Sequence, residues 1–498
     1  MALTLAAFGT ADWLVLGAYF ALLIATGVWL ARLPKGDQDY FLAGRRMPAW
    51  AVSVSVLATS LSAATFIGAP QQAYEGNLTY LSATIGTLLA AIIVAGVFLP
   101  AFYRHGVTTV YGLLEKRFGP GAKLAGSWTF VVGRVFASGA RVYIAAHALS
   151  FIVFGDLRTE HLLIAIAALT FAGILYTIAG GIETVIWTDV VQTVVFLGAV
   201  LGVIVHLGAE AGAPPAEAVA SLAEAGKFKV LDFSLDPARP YTLWTALVGI
   251  TLLNTAALGA DQDLAQRLLT CRSAMRAAWS VISSQLLGLG VVCLFMTIGL
   301  LLWLRNAHDT ATPQGGEKAF LAYMTGALPT GLAGVVMAGL FAAGLGSIDS
   351  ALNAMSSAFV SDCYRPARPG RSERHYLRVA RAGVAVSGVL LGGFACVCVF
   401  WQRGAGQTLL DFALQVMVFA YAGLVAVFLC ALLTRRGTTA SAIGALAAGF
   451  AITVALEPAI WERATGLDTI AFPWRMTVAS TVAFMIAAAP RGRASSRA

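Results

Sequence analysis

Long apolar segments separated by short polar connections follow one another along almost the whole chain. A helix needs roughly 20 mostly apolar residues to cross a bilayer, and thirteen segments have about this length. The one long polar stretch, 208–239, predicts a loop outside the membrane with one short helix. The pattern therefore predicts an all-α polytopic membrane protein. The thirteen predicted spans are 12–31, 48–75, 79–103, 124–155, 161–179, 184–207, 240–259, 274–304, 330–363, 379–402, 408–434, 438–457 and 471–489.

Composition agrees with a lipid-covered protein. Only 12% of the residues are charged and the mean hydropathy is +0.78, whereas soluble domains carry about 25% charged residues. The net charge of +8 does not indicate a nucleic-acid partner, because the basic residues lie between apolar segments, where membrane orientation requires them. The six cysteines form no disulfide or zinc-binding pattern. Because the chain has no nucleotide-binding or hydrolase motif, we expect a protein that is not an enzyme.

The distribution of lysine and arginine predicts the orientation of the chain. With the N-terminus outside, the cytoplasmic connections carry 22 basic residues and the external ones carry 8. Cytoplasmic loops are enriched in lysine and arginine. The chain is thus predicted to lie in the cell membrane with its N-terminus outside and its C-terminus in the cytoplasm.

Segments 2–6 and 7–11 form two groups of five. Because five is odd, the second group enters the membrane from the opposite side, as an inverted repeat whose broken helices point to a binding site. Proline removes a backbone donor, which predicts a break at Gly68-Ala69-Pro70; Leu258 to Asp261 is either a second break or the end of an unbroken helix. The third segment of each group, 124–155 and 330–363, is unusually long. The predicted units are 1–47 (first helix and inner loop), 48–207 (first repeat), 208–239 (external loop), 240–434 (second repeat) and 435–498 (two accessory helices and a basic tail).

Segment 2 is rich in hydroxyl groups, with six serines or threonines in the thirteen residues 53–65. Backbone carbonyls freed by an unwound turn can coordinate a cation. The alternative is that each hydroxyl bonds the carbonyl four residues earlier, as is common in membrane helices.

Segment 9 places Ala343, Gly346, Ser347 and Ser350 on one helical face. Asp349 lies near the middle of the segment, where inserting a carboxylate costs about 3 kcal/mol. We therefore expect Asp349 to face a cavity and a partner. The alternative is a packing face of small residues with a neutral Asp349.

Segment 4 carries Arg134 and Arg141, seven residues apart and so on one face. A fixed guanidinium within a helix bundle suits bidentate binding of a substrate carboxylate, or else forms a structural pair with Asp349 or Asp189. Asp189 lies about one turn inside segment 6. It could guide a cation toward the cytoplasm or simply favour the positive end of the helix dipole.

Five separate motifs resemble the sodium:solute symporter family. They are Tyr-Phe-Leu-Ala-Gly-Arg-Arg at 40–46, the hydroxyl-rich segment ending Phe66-Ile67-Gly68, Tyr176 to Asp189, Asp261-Gln262 with Gln266-Arg267, and Asp362-Cys363-Tyr364. Their order along nearly the whole chain makes the resemblance specific. It implies thirteen helices, a LeuT-like core of five plus five inverted helices, and sodium as the coupling ion.

The resemblance also implies particular site residues. The sodium site carries over as the carbonyls of Ala58, Leu61 and Ala343 with the Ser347 hydroxyl, while Gly346 stands where the family usually has a second hydroxyl. A possible second cation site, which could instead take a proton, matches Gly346, Asp349, Ser350 and Asp189. The family's polar solute residues map to Ser60, Ser62 and Thr65. An arginine that holds the acid group in sialic acid transporters maps to Ala137, one turn from both Arg134 and Arg141. Ala257 and Leu258 occupy the stretch of the aromatic gate of sugar transporters, which disfavours a sugar.

The sequence thus predicts a sodium-coupled secondary symporter that imports a small polar organic solute, with a carboxylate as one candidate class. Its expected partners are the solute, sodium ions and the lipid bilayer. The alternatives are a proton-coupled or sodium-independent transporter of the same fold, and a membrane sensor or channel-like protein.

Overall fold

The computed structural model describes residues 9–31, 42–178, 181–210, 214–306, 316–405 and 408–489. Each of the thirteen predicted segments contains helix. Nine helices in the described ranges are long and apolar enough to cross a membrane alone, and two further spans are pairs of helices joined at a bend. The helices are α1 (Thr10–Ala31), α2a (Ala49–Ser60), α2b (Ala63–Glu75), α3 (Leu78–His105), α4 (Pro120–Phe154), α5 (Thr159–Thr177), α6 (Ile182–Glu210), α7a (Leu243–Ala260), α7b (Gln262–Leu269), α8 (Ala274–Asn306), α9 (Leu332–Ala367), α10 (Glu373–Ala405), α11 (Leu409–Leu433), α12 (Thr439–Ala455, then bent into Pro458–Thr465) and α13 (Phe472–Ala487).

Local sequence explains where many of these helices begin and end. Thr408 caps α11 by accepting a bond from the Asp411 N–H, and Thr438 forms a capping box with Ser441 at the start of α12. Gly155 ends α4 with φ of 75°, a left-handed conformation that glycine adopts without steric cost. The long polar stretch 208–239 contains the expected short helix, Pro215–Glu224.

The break in the second span lies at Leu61-Ser62, so the predicted break at Gly68-Ala69-Pro70 is wrong. Leu61 and Ser62 are extended, the Ser62 hydroxyl accepts a bond from the Ala64 N–H, and the two halves meet at 65°. Helix α2b runs through Pro70, because close packing there holds the backbone in place. A Cβ on Gly299 of α8 would lie 2.2 Å from the Pro70 carbonyl oxygen, which shows how tightly the two helices pack.

The second predicted break is confirmed at its C-terminal residue. Asp261 is extended with ψ of 124°, and its carboxylate accepts a bond of 2.8 Å from the Asp263 N–H. The buried half-helix α7b then follows. The sequence pattern missed α7b because the helix has only eight residues and four of them are polar, so it fails a hydropathy criterion. The polar residues are Gln262, Asp263, Gln266 and Arg267.

The long third helices are confirmed, with 35 residues in α4 and 36 in α9. Helix α9 is buried along most of its length and packs against α6, α4, α1 and α2a. The two broken spans lie beside it, α2a in contact with α7b and α8. This arrangement brings both breaks to the centre of the helix bundle.

Candidate functional site

A cavity of 150 Å³ lies at the two helix breaks, with walls from α2, α3, α4, α7, α8 and α11. A water molecule needs about 10–15 Å³ by this measure, so the cavity has room for roughly ten waters or one small organic solute. All five predicted solute residues line it, namely Ser60, Ser62, Thr65, Arg134 and Arg141.

The hydroxyl groups of the cavity wall mostly bond their own backbone. Ser60 donates to the Val56 carbonyl at 2.8 Å, and Ser62 caps α2b. Thr87 and Ser284 likewise donate to carbonyls within their own helices. The hydroxyl hydrogens of Ser60, Thr87 and Ser284 are therefore already used, and these three groups offer the cavity only their oxygens as acceptors. Ser62 accepts the bond from the Ala64 N–H and keeps its own hydrogen as a donor.

Arg134 is neutralised by two carboxylates of the broken seventh span. Its guanidinium lies 2.7 Å from Asp261 and 3.2 Å from Asp263, and its side chain is 2% exposed. The expectation that it pairs with Asp349 or Asp189 is wrong, because α7b continues past the break and places its own carboxylates beside α4.

Arg141 differs from Arg134, although both line the same cavity. Its guanidinium contacts the Thr59 carbonyl at 3.5 Å and the Met417 sulfur at 3.9 Å. It makes no ion pair in the described part of the chain, and none of the described residues lining the cavity is an aspartate or glutamate. Arg141 is thus a half-buried cation that touches no carboxylate among the residues that the structure describes.

A second, much smaller cavity of 10 Å³ lies on the other side of the α2 break. Its walls include Ala58 and Leu61 of α2 and Ala343 of α9, three of the residues predicted to hold sodium. The volume suits a single water-sized sphere. Ser347 lies one helical turn beyond Ala343, and its hydroxyl donates to the Gly344 carbonyl at 2.9 Å, leaving its oxygen lone pairs available.

The residues of the possible second cation site lie together next to Gly346. A Cβ on Gly346 would be 3.7 Å from Asp189 Oδ1, and that oxygen, like Asp349 Oδ2, is buried without a hydrogen-bond partner in the described ranges. Asp189 Oδ2 is bound by Ser55 at 2.5 Å and Arg267 at 3.3 Å. The Ser350 hydroxyl instead donates to Asp263 at 2.5 Å.

Buried carboxylates outnumber buried guanidiniums in this region. Arg267 bridges Asp263 at 2.7 Å and Asp189 at 3.3 Å. Charges in a low-dielectric interior are stable only when they are compensated. The described cluster contains four aspartates and two arginines, each at most 2% exposed, so its excess carboxylates require either bound cations or protons. Its members are Asp189, Asp261, Asp263, Asp349, Arg134 and Arg267.

Comparison with known proteins decides the family. The model of the Sodium:solute symporter family matches residues 40–450. The chain belongs to the sodium:solute symporter family. It is 31% identical over 391 residues to the sodium/sialic acid symporter NanT of Aliivibrio fischeri, covering 77% of this chain and 75% of the relative. It is 28% identical over 454 residues to sodium-coupled monocarboxylate transporter 1 of Homo sapiens, covering 89% and 72%.

A solved structure has the same architecture. A sodium-coupled sialic acid symporter in a substrate-bound, outward-open state matches with a TM-score of 0.83 and 26% identity, over 97% of each chain. The predicted LeuT-like fold is therefore confirmed, and the protein is a multi-pass membrane transporter coupled to sodium and not an enzyme.

Sequence reasoning missed several residues of this symporter's centre. Asp263 and Arg267 form an ion pair within α7b, and the Tyr421 hydroxyl donates to Asp261 at 2.5 Å. Asp263 and Arg267 are four residues apart, a spacing that predicts an ion pair on one face of a helix. Gln192 was also missed, although it lies three residues after Asp189 and so on the same face of α6.

The two cavity arginines predict opposite effects on stability. Arg134→Gln should destabilise the folded protein by about 3–5 kcal/mol, because it leaves the buried Asp261 and Asp263 without their partner. Arg141→Gln should leave stability unchanged, since no carboxylate depends on it. Thermal unfolding of the purified protein in detergent measures both, and equal losses for the two variants would contradict this assignment.

Proposed function

We propose that this symporter imports a small organic monoanion, a monocarboxylate, together with sodium by alternating access. The observation that carries the proposal is Arg141, a guanidinium on the wall of a cavity at both helix breaks that touches no carboxylate in the described ranges. A solute carboxylate would supply the missing charge and can accept two parallel hydrogen bonds from the guanidinium.

The charge of the cavity wall favours an anion over a zwitterion. Arg134 is already paired with Asp261 and Asp263, whereas the Arg141 guanidinium touches no carboxylate among the described residues. An ammonium group would need an unpaired carboxylate, and the described lining offers none. Amino acids are therefore expected to bind poorly.

The remaining wall favours a solute with an apolar body. Ala257 and Leu258 of α7a and Leu410 and Met417 of α11 lie along it, and the nearby Ser60 hydrogen is bound to backbone. A sugar would have to place some of its hydroxyls against these apolar side chains, where each one without a hydrogen-bond partner costs about 1–3 kcal/mol. Among the relatives, one is named as a monocarboxylate transporter and another as a sialic acid symporter, so acids are carried elsewhere in the family.

Sodium and solute would bind to opposite sides of one unwound turn. Leu61 lines both cavities, and Thr59, whose carbonyl meets Arg141, directly follows Ala58. Sodium held by the carbonyls of Ala58, Leu61 and Ala343 and by the Ser347 hydroxyl would fix this turn, and with it the solute wall. Each ligand then raises the affinity for the other, as symport requires.

The charge stoichiometry predicts an electrogenic transporter. One sodium ion with one monoanion moves no net charge, whereas a second cation makes the net charge +1. A membrane potential of 100 mV then contributes about 2.3 kcal/mol, which corresponds to roughly 50-fold greater accumulation of the solute. Because the buried cluster is rich in carboxylates, we expect a second cation at Asp189, Asp349, Ser350 and Gly346. Adding solute in sodium to proteoliposomes on a solid-supported membrane should give an inward positive current. Transport without current would mean one cation per anion and leave the second site unused.

Uptake into proteoliposomes tests the proposal. Propionate, lactate and benzoate should accumulate under an inward sodium gradient, while alanine, glucose and a sialic acid should not compete. Monocarboxylate uptake that follows pH and ignores sodium would indicate proton coupling instead. Currents that exceed any transporter's turnover and need no solute would indicate a channel.

A further inference from the structure

Gln192 is a buried amide in α6 that faces the smaller cavity. Its side chain is 2% exposed and lines that cavity together with Ala58, Leu61 and Ala343. Neither its Oε1 nor its Nε2 atom has a hydrogen-bond partner by distance and angle in the part of the chain that the structure describes, and the Tyr19 hydroxyl lies beside the amide. An unpaired buried amide oxygen costs about 1–3 kcal/mol, so its retention next to an ion-sized space points to a ligand.

Because Gly346 has no side chain, the Gln192 amide can occupy the space beside it. A Cβ built on Gly346 would lie 2.6 Å from Gln192 Oε1 and 3.5 Å from its Cδ. A side chain at position 346 and the observed position of Gln192 therefore exclude each other. The glycine removes one side chain from the α9 face that carries Ala343 and Ser347, and an oxygen from α6 takes its place.

We propose that Gln192 Oε1 binds the sodium ion in this cavity, in the place of the side-chain oxygen that position 346 lacks. The inference rests on the proposed sodium site and adds a ligand from a third helix to it. An amide carbonyl is chemically equivalent to the backbone carbonyls of Ala58, Leu61 and Ala343, which suit sodium as neutral oxygen donors.

A ligand on α6 changes what sodium holds together. Without Gln192, the ion would join α2 to α9 only. With it, sodium also joins α6, whose Asp189 lies one turn away and binds Ser55 of α2a. Sodium binding would thus draw three helices together around the α2 break. Loss of Gln192 is therefore expected to weaken sodium binding. Solute affinity, measured at saturating sodium, should change less.

An exchange of two side chains tests the assignment. Gln192→Leu, which keeps the size but removes the oxygen, should raise the half-saturating sodium concentration for uptake at least about tenfold. Gly346→Ser alone should also raise it, because the hydroxyl and the amide compete for one space. The double variant Gln192→Ala with Gly346→Ser has room for the hydroxyl and should return to within about threefold of the unmodified protein.

The controls separate this inference from the sodium site on which it rests. Ser347→Ala is measured in parallel, and sodium-induced thermal stabilisation in detergent reports binding without transport. If Ser347→Ala weakens sodium binding and Gln192→Leu does not, Gln192 is not a ligand but the site stands. If neither does, the sodium site itself is wrong. The proposal would also be overturned if the double variant had a half-saturating sodium concentration as high as that of the single variants. Because Gly346→Ser and the double variant can be compared directly, this test remains valid even if Gln192→Leu folds poorly.

Discussion

Replacing Arg141 with glutamine is expected to lower the affinity for a monocarboxylate at least about 100-fold. Truncating one partner of a buried, hydrogen-bonded charge pair costs 2–5 kcal/mol, and 100-fold corresponds to about 2.7 kcal/mol. The effect should fall on the solute KM, while the half-saturating sodium concentration at saturating solute changes little, because Arg141 contacts the Thr59 carbonyl and not the smaller cavity. Concentration series of solute uptake in proteoliposomes give both values.

Arg141→Lys is the matched control for this prediction. It keeps the charge but loses the planar pair of donors, and should recover part of the affinity. Arg141→Gln should also unfold at the same temperature as the unmodified protein, since it breaks no ion pair. An unchanged KM for acidic solutes in Arg141→Gln would show that the carboxylate lies elsewhere.

Replacing Ser347 with alanine is expected to raise the half-saturating sodium concentration at least about tenfold, or about 1.4 kcal/mol. The change removes the proposed side-chain ligand from α9 and leaves the backbone carbonyls in place. Uptake measured across a series of external sodium concentrations gives the value. Ser347→Thr, which retains the hydroxyl, should stay closer to the unmodified protein.

Ser356→Ala is a second control on the same helix. Its hydroxyl donates to the Ala380 carbonyl at 2.7 Å, and it lies nine residues beyond Ser347 on α9. Sodium dependence should therefore not change. Equal effects of Ser347→Ala and Ser356→Ala would mean that both act through the packing of α9 and not through an ion.

Hydropathy was sufficient for the helices but not for their interruptions. A membrane span is recognised by about twenty consecutive apolar residues. A break depends instead on whether other groups can replace the backbone hydrogen bonds that are lost there. Pro70 is the strongest breaking signal in segment 2, yet α2b runs through it because α8 packs against its carbonyl. The observed break consists only of the extended residues Leu61 and Ser62 and the Ser62 cap. The same two-residue sequence also occurs within unbroken helices, so it gives no distinctive signal.

The candidate site was predictable where residues share one helix and not where they meet across helices. The face of Ala343, Gly346 and Ser347 follows from helical spacing alone. The partners of Arg134 do not, because Asp261 and Asp263 lie more than a hundred residues away on a half-helix that hydropathy hides. The proximity of Gln192 to Gly346 likewise could not be predicted from the sequence. Only the packing of α6 on α9 places the Gln192 amide where a side chain at position 346 would lie.

One turn of α2 is proposed to bind sodium on one side and a solute anion on the other. The most direct test of this arrangement is the dissociation constant of propionate for the purified protein, measured by isothermal titration in sodium and again in potassium at the same ionic strength. Propionate should bind at least about tenfold more tightly in sodium, because the ion orders the turn that lines the solute cavity. Equal affinity in the two salts would contradict it.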